Sequence, residues 1–169
     1  MNVLIAIASR HHATVEIAER IAAVLRSRGF GVDLVDAEPS RWLDDEHDAY
    51  IIGSAIYLDR WLRSARRFVA ENETVLARHP VWLFSSGPLG EPPRATLDDD
   101  ASHSLVGTSE VAPVEHHVFG GRLRPDGLGP VERALAGVIG APEGDFRDWE
   151  DVDHFARDIA DTLDHATAA

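Results

Sequence analysis

Val3 to Ala8 is an unbroken apolar run, and the chain keeps returning to that pattern. A strand that is apolar at every position is buried on both faces, so helices must cover both sides of its sheet. The sequence supplies them in alternation. A helix is expected from about Ala13 to Arg28, with Ala18, Ile21, Ala22 and Leu25 on its buried stripe and Glu16 pairing with Arg20 one turn on. Gly29 is suited to end it. Val32 to Val35 reads as a second strand, and "AYIIGSAIY" as a third that ends at Gly53-Ser54. Asp59 to about Leu76 reads as a helix facing inward through Leu62, Ala65, Phe68, Val69 and Leu76. "PVWLFSSGPLG" is a fourth strand breaking into a loop, and "PVEHHVFGG" a fifth, ending at Gly120-Gly121. A helix follows from about Gly129 to Ile139. The last helix is the clearest: Trp149, Val152, Phe155, Ala156, Ile159 and Leu163 share one face, and Asp148 is its N-cap. The segments "DAEPSRWLDDEHD" and "EPPRATLDDDASHSLVGTSE" are turn-rich, the second with room for one helical segment.

Strands alternating with helices imply a parallel α/β sheet. Five strands in this length suit a three-layer, doubly wound sheet in the order 2-1-3-4-5, built as a single domain over 1–169. A formal charge of −13 argues against nucleic-acid binding, which draws on a basic surface. All sixteen basic residues are arginine. With no cysteine, disulfides, thiol catalysis and cysteine-ligated metal are excluded. "VLIAIA" is too short for a membrane span and lacks a basic flank, so a cytoplasmic protein with no integral membrane segment is expected.

In open parallel sheets ligands bind beyond the carboxyl ends of the strands. Strands one, three and four lie side by side in the expected order, and their end loops "SRHHAT", "GSAIYLDRW" and "SSGPLG" converge there. The first opens a helix, whose free N–H groups and dipole suit an anion. As a plain turn, it would use Thr14 only as a cap. A metal at His11-His12 is disfavoured, because adjacent histidines in a turn rarely address one ion. His116-His117 lie on a strand, so their rings face opposite sides. Arg60, Arg63, Arg66 and Arg67 read as a solvated face, or else as a dock for an acidic group. Asp98, Asp99 and Asp100 read as solvated loop. There is no nucleophile elbow, Walker loop or dinucleotide fingerprint, and no catalytic side chain is assigned.

The combination "ASRHHATVEIAERI…GSAIYLDRW…FSSGPLG…VFGGRL…GDFRDW" resembles the flavodoxin-domain proteins of the menaquinone-dependent protoporphyrinogen-oxidase type, over nearly the whole chain. The resemblance implies a flavodoxin-like fold and a site for FMN. The family's first loop reads hydroxyl, two variable residues, glycine, hydroxyl, threonine. Ser9 and Thr14 match its outer hydroxyls, His12 stands at the glycine and Ala13 at the inner hydroxyl, with Arg10 and His11 between. Ser54, Ala55, Ile56 and Tyr57 match the second loop, beside the flavin ring. Ser86, Gly87, Pro88, Leu89 and Gly90 match the third, whose backbone meets the ring's polar edge. Tyr57 and Trp61 are the aromatic residues available to wall the ring; Tyr57, inside the loop, is the better placed, and Trp61 is equally suited to packing on its own helix.

What the resemblance implies first is an FMN-binding redox protein, an electron carrier or oxidoreductase serving a partner protein or a small-molecule acceptor. A deazaflavin coenzyme is the alternative; its acidic polyglutamate tail would meet Arg10, His11, His12 and the arginine face. A third reading is protoporphyrinogen oxidation, although the long basic insertion of such enzymes is here the acidic "EPPRATLDDDASHSLVGTSE". A fourth is a binding module on the same fold that has lost its cofactor.

Overall fold

Five strands form one parallel sheet, with the apolar runs in strands Asn2–Ala8, Ala49–Tyr57 and Val81–Ser86 at its centre. In the computed structural model, residues 1–10, 12–57, 60–87, 95–97, 102, 104, 106–107, 111–123 and 144–168 are described. The elements are β1 (Asn2–Ala8), α1 (Ala13–Ser27), β2 (Gly31–Asp36), β3 (Ala49–Tyr57), β4 (Arg60–Trp61), α2 (Arg63–Glu71), α3 (Glu73–Leu76), β5 (Val81–Ser86), β6 (Ala95–Leu97), β7 (Glu115–Phe119), β8 (Arg122–Leu123), β9 (Gly144–Asp145) and α4 (Trp149–Ala168). The order β2-β1-β3-β5-β7 is parallel throughout and is the expected 2-1-3-4-5. β6 extends the sheet antiparallel beyond β7, and β4 pairs antiparallel with the end of β3. β8 and β9 form a separate short ladder.

Alternation along the strands divides the core in two. Val3, Ile5, Ile7, Ile51, Phe84 and Phe119 face α1 and α4, meeting Ile17, Ile21, Leu25, Phe155, Ile159 and Leu163. Leu4, Ala6, Ile52 and Leu83 face α2, meeting Ala65, Phe68 and Val69. That two-sided burial is why β1 and β5 show no polar alternation, whereas the edge strand β2 alternates exposed and half-buried positions. Gly53 has a steric task at the sheet centre: a Cβ there would lie 2.1 Å from the Phe84 ring.

Several expectations are corrected. β3 does not end at Gly53-Ser54 but continues to Tyr57, because the antiparallel pairs Ile56–Trp61 and Tyr57–Arg60 give its last residues a ladder partner. The helix expected from Asp59 therefore starts at Arg63. It also breaks at Asn72, whose Nδ2 donates to the carbonyls of Phe68 and Arg41 (both 2.9 Å) while its Oδ1 accepts from the Leu43 N–H at 2.7 Å. Glu16 does not pair with Arg20. Arg20 reaches Asp153 on α4 at 2.6 Å, and Glu16 is taken by Arg122 and Arg147, since bidentate tertiary partners outcompete an exposed pair along one helix. Gly29 ends α1 at φ +93°, and Asp148 Oδ1 accepts from the N–H groups of Glu150 (3.0 Å) and Asp151 (3.2 Å), as their residue types predict. The helix expected at 129–139 and the residues Asp98 to Asp100 lie outside the described residues. No helix among the described residues is long and apolar enough to cross a membrane.

Candidate functional site

The first loop leaves β1 and turns into α1 through His12, whose φ of 57° and ψ of −14° are left-handed. An L-residue rarely takes this conformation. The first helical hydrogen bond runs from the Glu16 N–H to the His12 carbonyl at 3.0 Å, and no side chain caps the helix. Thr14 is accordingly not a cap. It lies within the first turn, 1% exposed. The N–H groups of Ala13, Thr14 and Val15 precede that first bond, and they are the donors an anion would use.

The second loop is the end of β3, whose last two residues pair with β4. Ser54 is buried, and its Oγ accepts the Leu62 N–H at 3.1 Å and donates to the Ala55 carbonyl at 2.9 Å. Ala55, Ile56 and Tyr57 are half-buried beyond it. The Arg10 guanidinium lies 5.3 Å from the Tyr57 ring centre, joining the first loop to the second. In the third loop Ser86 is buried, and Gly87 turns at φ +97° with its N–H on the Phe119 carbonyl at 3.1 Å. A Cβ on Gly87 would lie 3.9 Å from the Ile56 carbonyl oxygen, so the second and third loops run close together. The sheet register aligns the three loop bases, with Ala8 opposite Ser54 and Ala55 opposite Ser86. Ser9, Arg10, His12, Ala13, Thr14, Ser54, Ala55, Ile56, Tyr57, Ser86 and Gly87 thus fall at one sheet edge. His11, Pro88, Leu89 and Gly90 lie outside the described residues.

Trp61 is placed differently from its expected role as a ring wall. It is 2% exposed within the core on the α2 side, with its indole N–H donating to Ser85 Oγ at 2.8 Å. Arg60, Arg63 and Arg67 are exposed, Arg66 is half-buried, and Arg67 pairs with Glu71 at 2.8 Å, in keeping with a solvated face.

Three polar clusters escaped sequence reasoning. In the first, His116 is fully buried, with Nε2 2.8 Å from Ser85 Oγ and Nδ1 2.9 Å from Ser102 Oγ. The indole N–H of Trp61 donates to Ser85, and the hydroxyls of Ser85 and Ser102 flank the two ring nitrogens of His116. Burial, aided by the charge of His117, pushes His116 down to about 3, so the ring is neutral. In the second, the His117 ring faces the other side of the sheet, between Glu115 Oε1 at 3.2 Å and Asp151 Oδ2 at 3.0 Å. Burial pulls its pKa down, but the two carboxylates outweigh burial and the net shift is upward. In the third, Arg147 is 3% exposed and binds Glu16 Oε2 at 2.6 Å and Asp145 Oδ2 at 2.6 Å, while its guanidinium lies 4.6 Å from the Trp149 ring centre. Arg122 binds the other oxygen of Glu16 at 2.8 Å. Strand alternation separates the two histidines in advance, but partners so distant in sequence carry no local signal.

A parallel sheet in this order, with helices on both faces, defines the doubly wound α/β class of protein. The chain belongs to the flavodoxin-domain family, whose model matches residues 4–149. It is 25% identical over 181 residues to protoporphyrinogen IX dehydrogenase [quinone] of Escherichia coli, covering 99% of each chain. Among solved structures it is similar to a flavodoxin from the domain Archaea, with a TM-score of 0.58, 17% identity, and 98% of this chain and 100% of that one covered. Flavodoxin 1 of Bacillus cereus has a TM-score of 0.60 at 17% identity, with 93% and 95% covered. Rubredoxin oxygen:oxidoreductase of Desulfovibrio gigas has a TM-score of 0.62 at 18% identity, with 99% of this chain matching 37% of that one. At such identities these structures establish the fold.

Proposed function

We propose that this chain is a single-domain, FMN-dependent redox protein of the cytoplasm that holds its cofactor at the carboxyl ends of β1, β3 and β5. One observation carries the reading. His12 stands where the family loop has glycine, and its backbone takes the left-handed conformation that glycine adopts most readily. A turn suited to glycine is thus held by a residue with a side chain. The uncapped N–H groups of Ala13, Thr14 and Val15 fit a phosphate, and the Arg10 guanidinium, over the Tyr57 ring, adds positive charge to the same loop. Glu16, which would oppose an anion in that first turn, has its charge offset by Arg122 and Arg147. Tyr57 on one side and the Gly87 backbone on the other suit an aromatic ring and its polar edge.

When bound, the flavin supplies the electron chemistry. The residues here bind and orient it, and the surrounding surface meets a redox partner protein or small-molecule acceptor. No side chain is given an acid or base role. His12 also supports a second reading, a deazaflavin coenzyme, because a residue other than glycine at that position is less surprising where the loop does not wrap a terminal phosphate. The full-length similarity to a quinone-linked dehydrogenase supports a third, oxidation of protoporphyrinogen.

Absorption and mass spectra of the natively purified protein test the proposal, followed by titration of the stripped protein with FMN. Bound FMN near one per chain is expected. A bound deazaflavin would replace FMN in the reading, and a preparation that takes up neither would leave a cofactor-free binding module. Failure to rescue a strain lacking protoporphyrinogen oxidase would remove the third reading alone.

A further inference from the structure

Three polar side chains lie deep under the cofactor face, where apolar residues would pack more cheaply. Ser85 and His116 are 0% exposed and Ser102 is 1% exposed. With Trp61 they form one continuous chain: Trp61 Nε1 to Ser85 Oγ at 2.8 Å, Ser85 Oγ to His116 Nε2 at 2.8 Å, and His116 Nδ1 to Ser102 Oγ at 2.9 Å. Each ring nitrogen of His116 has a hydroxyl partner. The Trp61 and His116 rings also meet edge to face, with centroids 5.5 Å apart. A buried polar chain satisfied in this way specifies one geometry; broken at one link, it leaves orphaned groups.

What that geometry fixes is visible at both ends of the gap between the second and third loops. The β3–β4 hairpin has only two paired positions, too few to hold itself in place. Its base is held by the Ser54 hydroxyl on the Leu62 N–H, and its returning strand by the Trp61 indole on Ser85. Ser85 lies two residues before Gly87, and Gly87 is bound to the Phe119 carbonyl on β7, the strand that also carries His116. Both walls of the gap are therefore referenced to the same β5–β7 pair.

We infer that the Trp61–Ser85–His116–Ser102 chain is the positioning device of the cofactor site, setting Ile56 and Tyr57 at a fixed spacing from Gly87. These are positioning residues, since none of them lines the site. The inference rests on the flavin reading for its consequence, but the spacing itself belongs to the protein alone.

The test uses Trp61→Phe, which keeps an aromatic ring in the core and removes the indole N–H, together with Ser85→Ala. Hydrogen exchange is measured on the cofactor-free full chain, and FMN affinity and midpoint potential on the loaded protein. In Trp61→Phe the amides of Ile56 and Tyr57 are expected to exchange at least about tenfold faster while β1 amides keep their protection. FMN affinity falls, and a tenfold change in the ratio of affinities for oxidised and reduced flavin appears as a midpoint shift of about 59 mV for one electron. A lowered melting temperature with unchanged hairpin exchange, FMN affinity and potential overturns the inference, because a packing role alone predicts that result. If Ser85→Ala does not fold, Trp61→Phe decides alone. If the natural protein takes up neither FMN nor a deazaflavin, the functional reading fails, and the exchange measurement still decides the positioning.

Discussion

His12 separates the backbone of the first loop from its side chain, and His12→Gly tests which of them matters. The residue sits at φ 57° as the N-cap of α1, exposed, with no capping bond from its side chain. A left-handed L-residue costs about 1–2 kcal/mol. Glycine removes that cost but adds unfolded-chain entropy of about 0.5–1 kcal/mol. The net expectation for His12→Gly is a gain of about 0.5–1 kcal/mol, or roughly 1–4 °C in melting temperature for a chain of this size. His12→Ala keeps the strained backbone while removing an exposed side chain, so it should be neutral or slightly destabilising. Thermal unfolding of the three proteins followed by circular dichroism checks the order Gly above His, and His at or above Ala. On the FMN reading, His12→Gly also binds FMN at least as tightly as the natural protein, because Ala13, Thr14 and Val15 then close on the phosphate without a Cβ in the turn. If glycine and alanine destabilise equally, the histidine side chain is what holds the turn, and the conformational argument is wrong.

Further expectations follow from the buried clusters. His117 has a raised folded pKa, so its contribution is complete below the unfolded value near 6.5 and is lost as pH rises through the folded one. Urea unfolding between pH 6 and 9 should show stability falling across that window, and His117→Gln should flatten the slope. Arg147→Met removes the strongest hydrogen bonds of Glu16 and Asp145, both of which it holds below the usual carboxylate range. Those carboxylates stabilise above their unfolded pKa and lose that effect as pH falls through the folded one, so the variant should show a shallower acid limb in unfolding titrations below about pH 5. Because both carboxylates are more than a third exposed, the loss at neutral pH is held to about 1–3 kcal/mol. Gly53→Ala would place a Cβ 2.1 Å from the Phe84 ring and should cost about 1–3 kcal/mol or more by overpacking, read as a lower urea midpoint.

The sheet was legible because burial on both faces leaves a signal at every residue of a strand. Val3 to Ala8 and Val81 to Ser86 need no distant information to be recognised. The N-cap Asp148 and the C-terminal Gly29 are equally local. The hairpin at Tyr57–Trp61 was not, since "YLDRWLRSARRF" also satisfies a helical period and only the pairing with β3 makes Arg60 and Trp61 extended. Trp61 shows the same limit at the site. Its type and position allowed either a cofactor wall or core packing, and only the placement of Ser85 opposite it decided.

By itself, then, the sequence determined the parallel order of the strands, the edge at which their loops meet and the opposite facing of His116 and His117. The facing of the histidines follows from the strand period of two, and the order and the meeting of the loops from strands alternating with helices in a doubly wound pattern. Only the tertiary structure decided that His12 keeps a left-handed backbone, that Glu16 binds arginines more than a hundred residues away, and that Trp61, Ser85, His116 and Ser102 form one chain. Those outcomes turn on which distant partner gives the better geometry and the fuller desolvation, and no local pattern of residues encodes that competition.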